Sequence, residues 1–251
     1  DRSKGCTIAL WQANRDPEHD KYALLFVQQL RGKDHAREPA RIKVGNATAP
    51  LTRIAVGGKT NGYGLHEVEL YRFADGDGYV ALDLKLAVDR DRLLPLIAKA
   101  DILVEQFRPG VMARLGLGYE ALAAINPGLI YCSITGYGQT GPKADLPGHD
   151  LNYIGDSGLL SLGFGSAAAP VIPPALIADI AGGAYPAMMN ILLALEQRRR
   201  SGKGCYLDIA MAENALPFQF WALGQGFGTG KWPGNGQDLL NGGSPRYRLY
   251  P

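Results

Sequence analysis

The chain has 251 residues, 46% of them hydrophobic and 20% charged, enough to bury the core of one large or two modest domains, which excludes a disordered chain. Its 26 basic and 24 acidic residues leave a net charge of +2, too small for electrostatics alone to mark a nucleic-acid binder. Three cysteines, Cys6, Cys132 and Cys205, with no C-x-x-C spacing, argue against a disulfide framework or structural zinc and for a reducing, cytoplasmic setting.

The opening D-R-S-K-G-C-T lacks an initiator Met, a long apolar run and a small-residue cleavage pattern. A fragment without a signal peptide is therefore expected. Asn46-Ala47-Thr48 fits a glycosylation acceptor, but without a secretory signal it reads as a turn. Positive charge is concentrated early, since residues 1–74 hold 12 basic and 8 acidic residues and the remainder 14 and 16. Within that segment Lys21–Leu30 reads as a short helix or strand, and the rest is charged, dotted with glycine and weakly periodic. No function is legible there.

The pattern sharpens at Gly78. Residues 79–84 read as a strand, 89–100 as a helix with apolar Leu93, Leu94, Leu96 and Ile97, and 102–107 as a second strand closed by Arg108-Pro109-Gly110. Short helices over 111–115 and 119–125, an Asn126-Pro127-Gly128 turn and a strand over 129–134 follow. Alternating strands and helices predict right-handed crossovers and a parallel sheet. Ligands of such sheets sit beyond the carboxyl ends of the strands, which here carry Arg108-Pro109-Gly110 and Thr135-Gly136-Tyr137-Gly138.

Between Ser157 and Leu195 the one charged residue is Asp179. Such a run suits a membrane span by length, but Gly163, Gly165, Pro170, Pro173, Pro174, Gly182, Gly183 and Pro186 break it and Asp179 is costly in lipid. A buried segment is expected instead, with residues 184–195 a core helix. Arg198-Arg199-Arg200 then reads as a solvated cap that suits the helix dipole. A strand over 205–209, a helix from Met211 to about Leu223 and a Gly/Trp-rich loop to Gly243 complete the chain.

Gly136-Tyr137-Gly138-Gln139-Thr140-Gly141 matches G-x-G-x-x-G after a strand, but Pro142 and Pro147 prevent the helix that a dinucleotide fingerprint needs next. Gly202-Lys203 likewise lacks the upstream glycine of a phosphate-binding P-loop. His149 and Asp150 follow a Pro147-Gly148 turn, where a histidine with a pKa near neutrality faces a cleft or solvent. Asp179, in an apolar segment, is expensive to bury unless paired or used. It reads either as a plain helix N-cap or as a reactive carboxylate, with Gly182 and Gly183 in the next helical turn offering uncovered N–H groups to an anion. Arg108 and Arg114 suit phosphate groups through their bidentate, permanently charged guanidinium groups, although solvated surface arginines would look the same.

Several stretches together resemble the class III coenzyme A transferase family: A-D-I-L-V-E-Q-F-R-P-G-V-M-A-R-L-G-L-G-Y-E (100–120), N-P-G-L-I-Y-C-S-I-T-G-Y-G-Q-T-G-P (126–142), P-G-H-D-L-N-Y (147–153), A-D-I-A-G-G (178–183), L-E-Q-R-R-R-S-G-K-G (195–204) and L-N-G-G-S-P-R-Y (240–247). Within the family, G-H-D-L-N-Y is similar to the alpha-methylacyl-CoA racemase branch. The resemblance covers about 78–251, leaves 1–77 unassigned, and implies an α/β, Rossmann-like parallel sheet with flanking helices in a truncated member of the fold. A further acidic residue of the racemases then falls beyond Pro251.

The resemblance implies catalytic roles for Asp179 and His149, with Asp150 alongside, and coenzyme A phosphate binding by Arg108 and Arg114. Tyr153 and Tyr247 then line the acyl pocket, beside Gly182 and Gly183. The implied enzyme epimerises the alpha carbon of 2-methylacyl-CoA thioesters by two-base proton transfer through an enolate. The alternatives are a CoA-transferase working through an aspartyl-acyl anhydride on Asp179, and a truncated, catalytically inactive CoA-binding fragment. Coenzyme A enters as part of the substrate, no cofactor or metal is held permanently, and the expected partners are acyl-CoA and a second copy of the chain, not nucleic acid or membrane.

Overall fold

The computed structural model describes the backbone of the strands lying within residues 6–82, then residues 87–163, 169 and 171–250, with side chains from Arg90 onward except Arg92. Asn46, Gly165, Pro170 and the side chain of Cys6 lie outside the described residues. The chain divides into two compact units, residues 1–133 with 191–207, and residues 134–190 with 208–251.

An eight-stranded sheet forms from β1 (Cys6–Trp11), β2 (Leu24–Leu30), β5 (Thr52–Val56), β6 (Val68–Arg72), β7 (Gly78–Leu82), β8 (Ile102–Glu105), β9 (Ile130–Thr135) and β10 (Cys205–Ala210), in the order β10-β9-β8-β2-β1-β7-β6-β5. β3 (Lys43–Val44) and β4 (Ala47–Thr48) make a separate two-stranded ladder. The stretch read as helix or strand near residue 24 is thus a strand.

The α/β class holds, with a three-stranded parallel segment in which β8 pairs with β2 and with β9. Beyond that segment the sheet also carries antiparallel strands. β1 pairs antiparallel with both β2 and β7, and β7 pairs antiparallel with β6. β7 therefore points the same way as β8 but is separated from it by two strands. Periodicity identifies strands one at a time, whereas adjacency depends on where the unreadable first segment inserts.

The helices of the first unit cover this sheet. α1 (Ala87–Ile97) presents Leu93 and Ile97, one turn apart and fully buried. They pack with Leu103 of β8, Phe107, Met112 of α2 (Val111–Arg114), Leu117, Leu122 of α3 (Tyr119–Ile125) and Tyr131 of β9. The turn after α3 is held by Asn126, whose Nδ2 donates to the Ile97 and Ala100 carbonyls at 3.0 and 2.8 Å while its Oδ1 accepts the Gly128 N–H at 3.2 Å. The Tyr131 hydroxyl donates to the Leu117 carbonyl at 3.2 Å, and burial followed by the Glu105 charge raises its pKa.

The apolar stretch after Ser157 differs from expectation. Residues Ala178–Ala184 form a π-helical segment that runs into α5 (Tyr185–Ser201). α5 is not a buried core helix: Ala187, Ala194 and Leu195 face inward, but Tyr185, Met188, Met189, Leu192 and Leu193 recur with the helical period and are exposed. The continuous helix over 178–201 has a mean hydropathy of 1.2 in its most apolar 18-residue window, 33% of which is buried.

The arginine run that ends α5 splits in two. Arg199 and Arg200 pair with Glu196 on the surface, as a solvated cap would. Arg198 instead turns inward onto Asp101, Nη2 to Oδ1 at 2.8 Å, and Nη1 also donates to the Gly128 carbonyl at 3.0 Å. The helix expected from Met211 to about Leu223 instead begins as a 3-10 turn over Glu213–Gln219 and continues as α6 (Phe220–Thr229). Cys132 and Cys205 are not in disulfides.

Candidate active site

In the second unit, β9 ends at Thr135 and no helix follows Gly136–Gly141, because the chain stays irregular until α4 (Asp150–Asp156). The glycine-rich stretch therefore lacks a helix N-terminus to receive a pyrophosphate, as its prolines predict. The returning chain is tied down by Met211 and Ala212, whose N–H groups donate to the Thr135 and Gly136 carbonyls at 2.9 Å each.

Tyr153 shapes the approach to His149. It is buried, its hydroxyl donates to the Gly148 carbonyl at 2.6 Å, and its ring stands edge-on to Tyr137 with centroids 5.1 Å apart. A Cβ at Gly136 would fall on that ring, and one at Gly148 would lie 2.5 Å from it. Glycine is required at both positions by this close approach. Tyr153 thus braces the Pro147-Gly148 turn from beneath.

His149 is the exposed N-cap residue of α4, with extended backbone (φ −132, ψ 176). The Asn152 Oδ1 reaches back to accept its N–H at 3.0 Å, half of a capping box that fixes where the chain enters the helix. Asp150 follows and is only 6% exposed. Its Oδ1 accepts the backbone N–H of Asp179 at 2.9 Å. This bond joins the two segments picked out from sequence.

Asp179 is not a helix N-cap. It is the second residue of the π-helical segment, whose N-cap is Ile177. Burial raises the Asp179 pKa first, the Asp150 charge adds to that, and the attraction of His149 partly offsets both. A carboxyl group raised in this way can hold and release a proton closer to neutrality than an ordinary aspartate.

Gly182 and Gly183 also fall differently from expectation. They lie in mid-segment rather than in an open first turn, so the backbone N–H groups free at the helix start belong to residues nearer Ala178. Their smallness serves packing: a Cβ on Gly182 would strike the Met211 carbonyl oxygen, and one on Gly183 would lie 3.1 Å from the Met211 side chain. Asn214 Nδ2 completes the brace by donating to the Gly182 carbonyl at 2.9 Å. Paired glycines within a helix were the available signal for this approach, but Met211 and Asn214 carry none of their own. Gly182→Ala is expected to destabilise the protein by about 1–3 kcal/mol through overpacking against rigid backbone. Gly183→Ala should cost less, because the Met211 side chain can move. Urea denaturation midpoints of the two variants check the order.

Tyr247 is exposed and borders a cavity of about 870 Å³ together with Leu159, Phe218, Trp221, Leu240 and Arg246. Tyr153 is not among its walls. Among the described residues no cluster of His, Cys, Asp or Glu could hold a metal ion.

Arg108 and Arg114 belong to the first unit, Arg108 on the turn that leaves β8 at its carboxyl end and Arg114 at the end of α2. Both are exposed, and neither forms an ion pair among the described residues. Gly110 between them adopts a left-handed φ of 74° and lies against the Arg114 guanidinium, Nη1 being 2.9 Å from where a Cβ would stand. Two exposed guanidinium groups, one just beyond a parallel strand and one at the end of the short helix that follows, fit an anionic ligand.

The pattern of CoA-transferase family III matches residues 70–251. The alpha-methylacyl-CoA racemase of Mus musculus is 42% identical over 179 residues, 70% of this chain and 46% of its own length. Its Homo sapiens counterpart is 39% identical over 184 residues, 72% and 48% of the two chains. The acetyl-CoA:oxalate CoA-transferase of Acetobacter aceti is 42% identical over 159 residues, 63% and 41%. Among solved structures, a CAIB/BAIF family protein from Brucella suis matches with a TM-score of 0.57 at 36% identity, covering 61% of this chain and 40% of its own. The chain spans about half the length of the curated relatives it matches.

Proposed function

This chain belongs to CoA-transferase family III, and from that premise we propose that it epimerises the alpha carbon of 2-methylacyl-CoA thioesters. The observation that carries the proposal is the Asp150–Asp179 hydrogen bond. It brings a carboxyl group of raised pKa to the start of α4, where His149 stands.

Inversion at a carbon alpha to a thioester needs one group to remove a proton and another to return one to the opposite face. Asp179 and His149 take these roles, exchanging them with the direction of reaction. Between the two transfers the substrate is an enolate, whose negative oxygen needs nearby donors. Arg108 and Arg114 bind the phosphates of the coenzyme A moiety, and Tyr247 borders the space for the acyl group. The two racemases among the relatives support this reading.

A CoA-transferase reaction is the second reading, favoured by the similarity to the Acetobacter aceti enzyme. There the Asp179 carboxylate attacks the thioester carbonyl and expels coenzyme A thiolate, leaving an acyl anhydride on Asp179. His149 has no necessary part in that step.

Incubation of the full chain with one epimer of a 2-methylacyl-CoA in deuterium oxide separates the two. Racemisation gives deuterium at the alpha carbon together with loss of stereochemical purity. Acylation of Asp179 that hydroxylamine traps as a hydroxamate, without alpha-deuterium, would replace this proposal with the transferase.

A further inference from the structure

Glu105 closes β8 and is only 3% exposed. A carboxylate at that depth is unfavourable unless it is hydrogen-bonded. Its Oε2 accepts the Phe107 backbone N–H at 2.7 Å, and its Oε1 accepts the hydroxyl of Ser133, the residue directly opposite it on β9. One carboxylate therefore links the ends of two parallel strands to the first residues that leave the sheet.

What leaves the sheet is the arginine turn. The Phe107 side chain is buried in the core with Met112 and Leu117, and the next residue, Arg108, is exposed. The Arg108 carbonyl accepts the Val111 N–H at 3.1 Å, and the Gly110 carbonyl accepts the Arg114 N–H at 3.0 Å. From Phe107 to Arg114 the backbone is thus closed by consecutive hydrogen bonds, and its starting direction is set by the bond to Glu105. A bond to an ionised acceptor is shorter and stronger than a neutral one, which suits a group that must aim the chain just as ladder pairing stops.

We infer that Glu105 is a positioning residue for coenzyme A binding, acting through the Phe107 amide to hold the Arg108–Arg114 turn in its phosphate-binding conformation. The inference rests on the proposed phosphate role of Arg108. Glu105 itself touches no ligand.

Titration of the full chain with coenzyme A by calorimetry provides the test. Glu105→Met keeps the volume without the acceptor, and Glu105→Asp keeps the charge but draws it back by one methylene. Each is expected to lower affinity about tenfold, the loss that follows from a hydrogen bond to a charged group. Glu105→Gln, which keeps an acceptor for Phe107 and can donate to Ser133 but loses the charge, should weaken binding by only about threefold. In an Arg108→Ala background Glu105→Met should cost well below tenfold, because only Arg114 is then left for the turn to position.

Additive losses would overturn the inference, since a general loosening of the fold would weaken binding whether or not Arg108 is present. So would wild-type affinity in the Glu105→Asp variant, which decides the matter even where Glu105→Met does not fold. Weakened binding in Arg108→Ala with unchanged binding in the Glu105 variants would sink the inference and leave the phosphate reading intact. Unchanged binding in Arg108→Ala would sink both.

Discussion

Asp179→Asn is expected to slow deuterium entry at the alpha carbon of a 2-methylacyl-CoA by about a thousandfold, the middle of the range for losing a positioned general acid or base. Coenzyme A affinity should be unchanged, because Arg108 and Arg114, the proposed phosphate ligands, are untouched. The amide keeps the size of the side chain, and the Asp179 N–H that Asp150 accepts belongs to the backbone. The loss is therefore chemical rather than structural. Retention of a tenth of the parental exchange rate would remove Asp179 from the proton-transfer role.

The same residue sets a pH dependence. In the direction where Asp179 is the base it must be ionised, so kcat/KM falls as pH drops through its pKa. Burial and the Asp150 charge raise that pKa above the ordinary aspartate value of 3.8, so the acid limb lies at higher pH than an ordinary carboxylate would give. Asp150→Asn removes the neighbouring charge, while its side-chain oxygen can still accept the Asp179 N–H. The Asp179 pKa should then fall and the acid limb move to lower pH. Movement the other way would show that Asp150 does not act on Asp179 through its charge.

Arg198→Ala should destabilise the protein by about 3–5 kcal/mol, the cost of removing one partner from a buried ion pair. The side chains of Arg198 and Asp101 are 15% and 6% exposed, so truncation leaves the Asp101 carboxylate with little access to water. It also removes the donor to the Gly128 carbonyl. Arg199→Ala and Arg200→Ala should change stability by less than about 1 kcal/mol, since their bridges to Glu196 are solvent-exposed and screened. Urea denaturation of the three variants measures the contrast. Equal effects at all three positions would contradict the inward role of Arg198.

That contrast shows what the sequence conceals. Three adjacent arginines at a helix end are chemically alike, and the dipole favours all of them equally. Rotation by 100° per residue puts only one of them over Asp101, and nothing in the local pattern identifies that partner, 97 positions away. Glu105 was hidden for the same reason. It stands in a run of buried strand residues, Ile102–Glu105, where a lone carboxylate is recognisable as engaged only once Ser133 and the Phe107 amide are seen around it.

The residues proposed for the site stood out in the sequence, but the contacts between them did not. Asp179 stood out as a carboxylate in an apolar stretch, and His149-Asp150 as a pair after a Pro-Gly turn. What remained open was whether Asp179 capped a helix or did chemistry, and the π-helical segment excludes the cap. Within that segment Gly182 lets the Met211 backbone approach, a contact between residues about thirty positions apart.

By itself the sequence determined the individual strands and helices from Ile102 to Thr135, the Asn126-Pro127-Gly128 turn and the chemical types gathered near the site, because these follow from side-chain periodicity and backbone preferences over a few residues. Only the tertiary structure decided that β1 and β2 separate β7 from β8, that one of three arginines turns inward, and that Asp150 grips Asp179. Each of these depends on a hydrogen bond, ion pair or strand neighbour distant along the chain, and distance along the chain says nothing about distance in space until the backbone path is known.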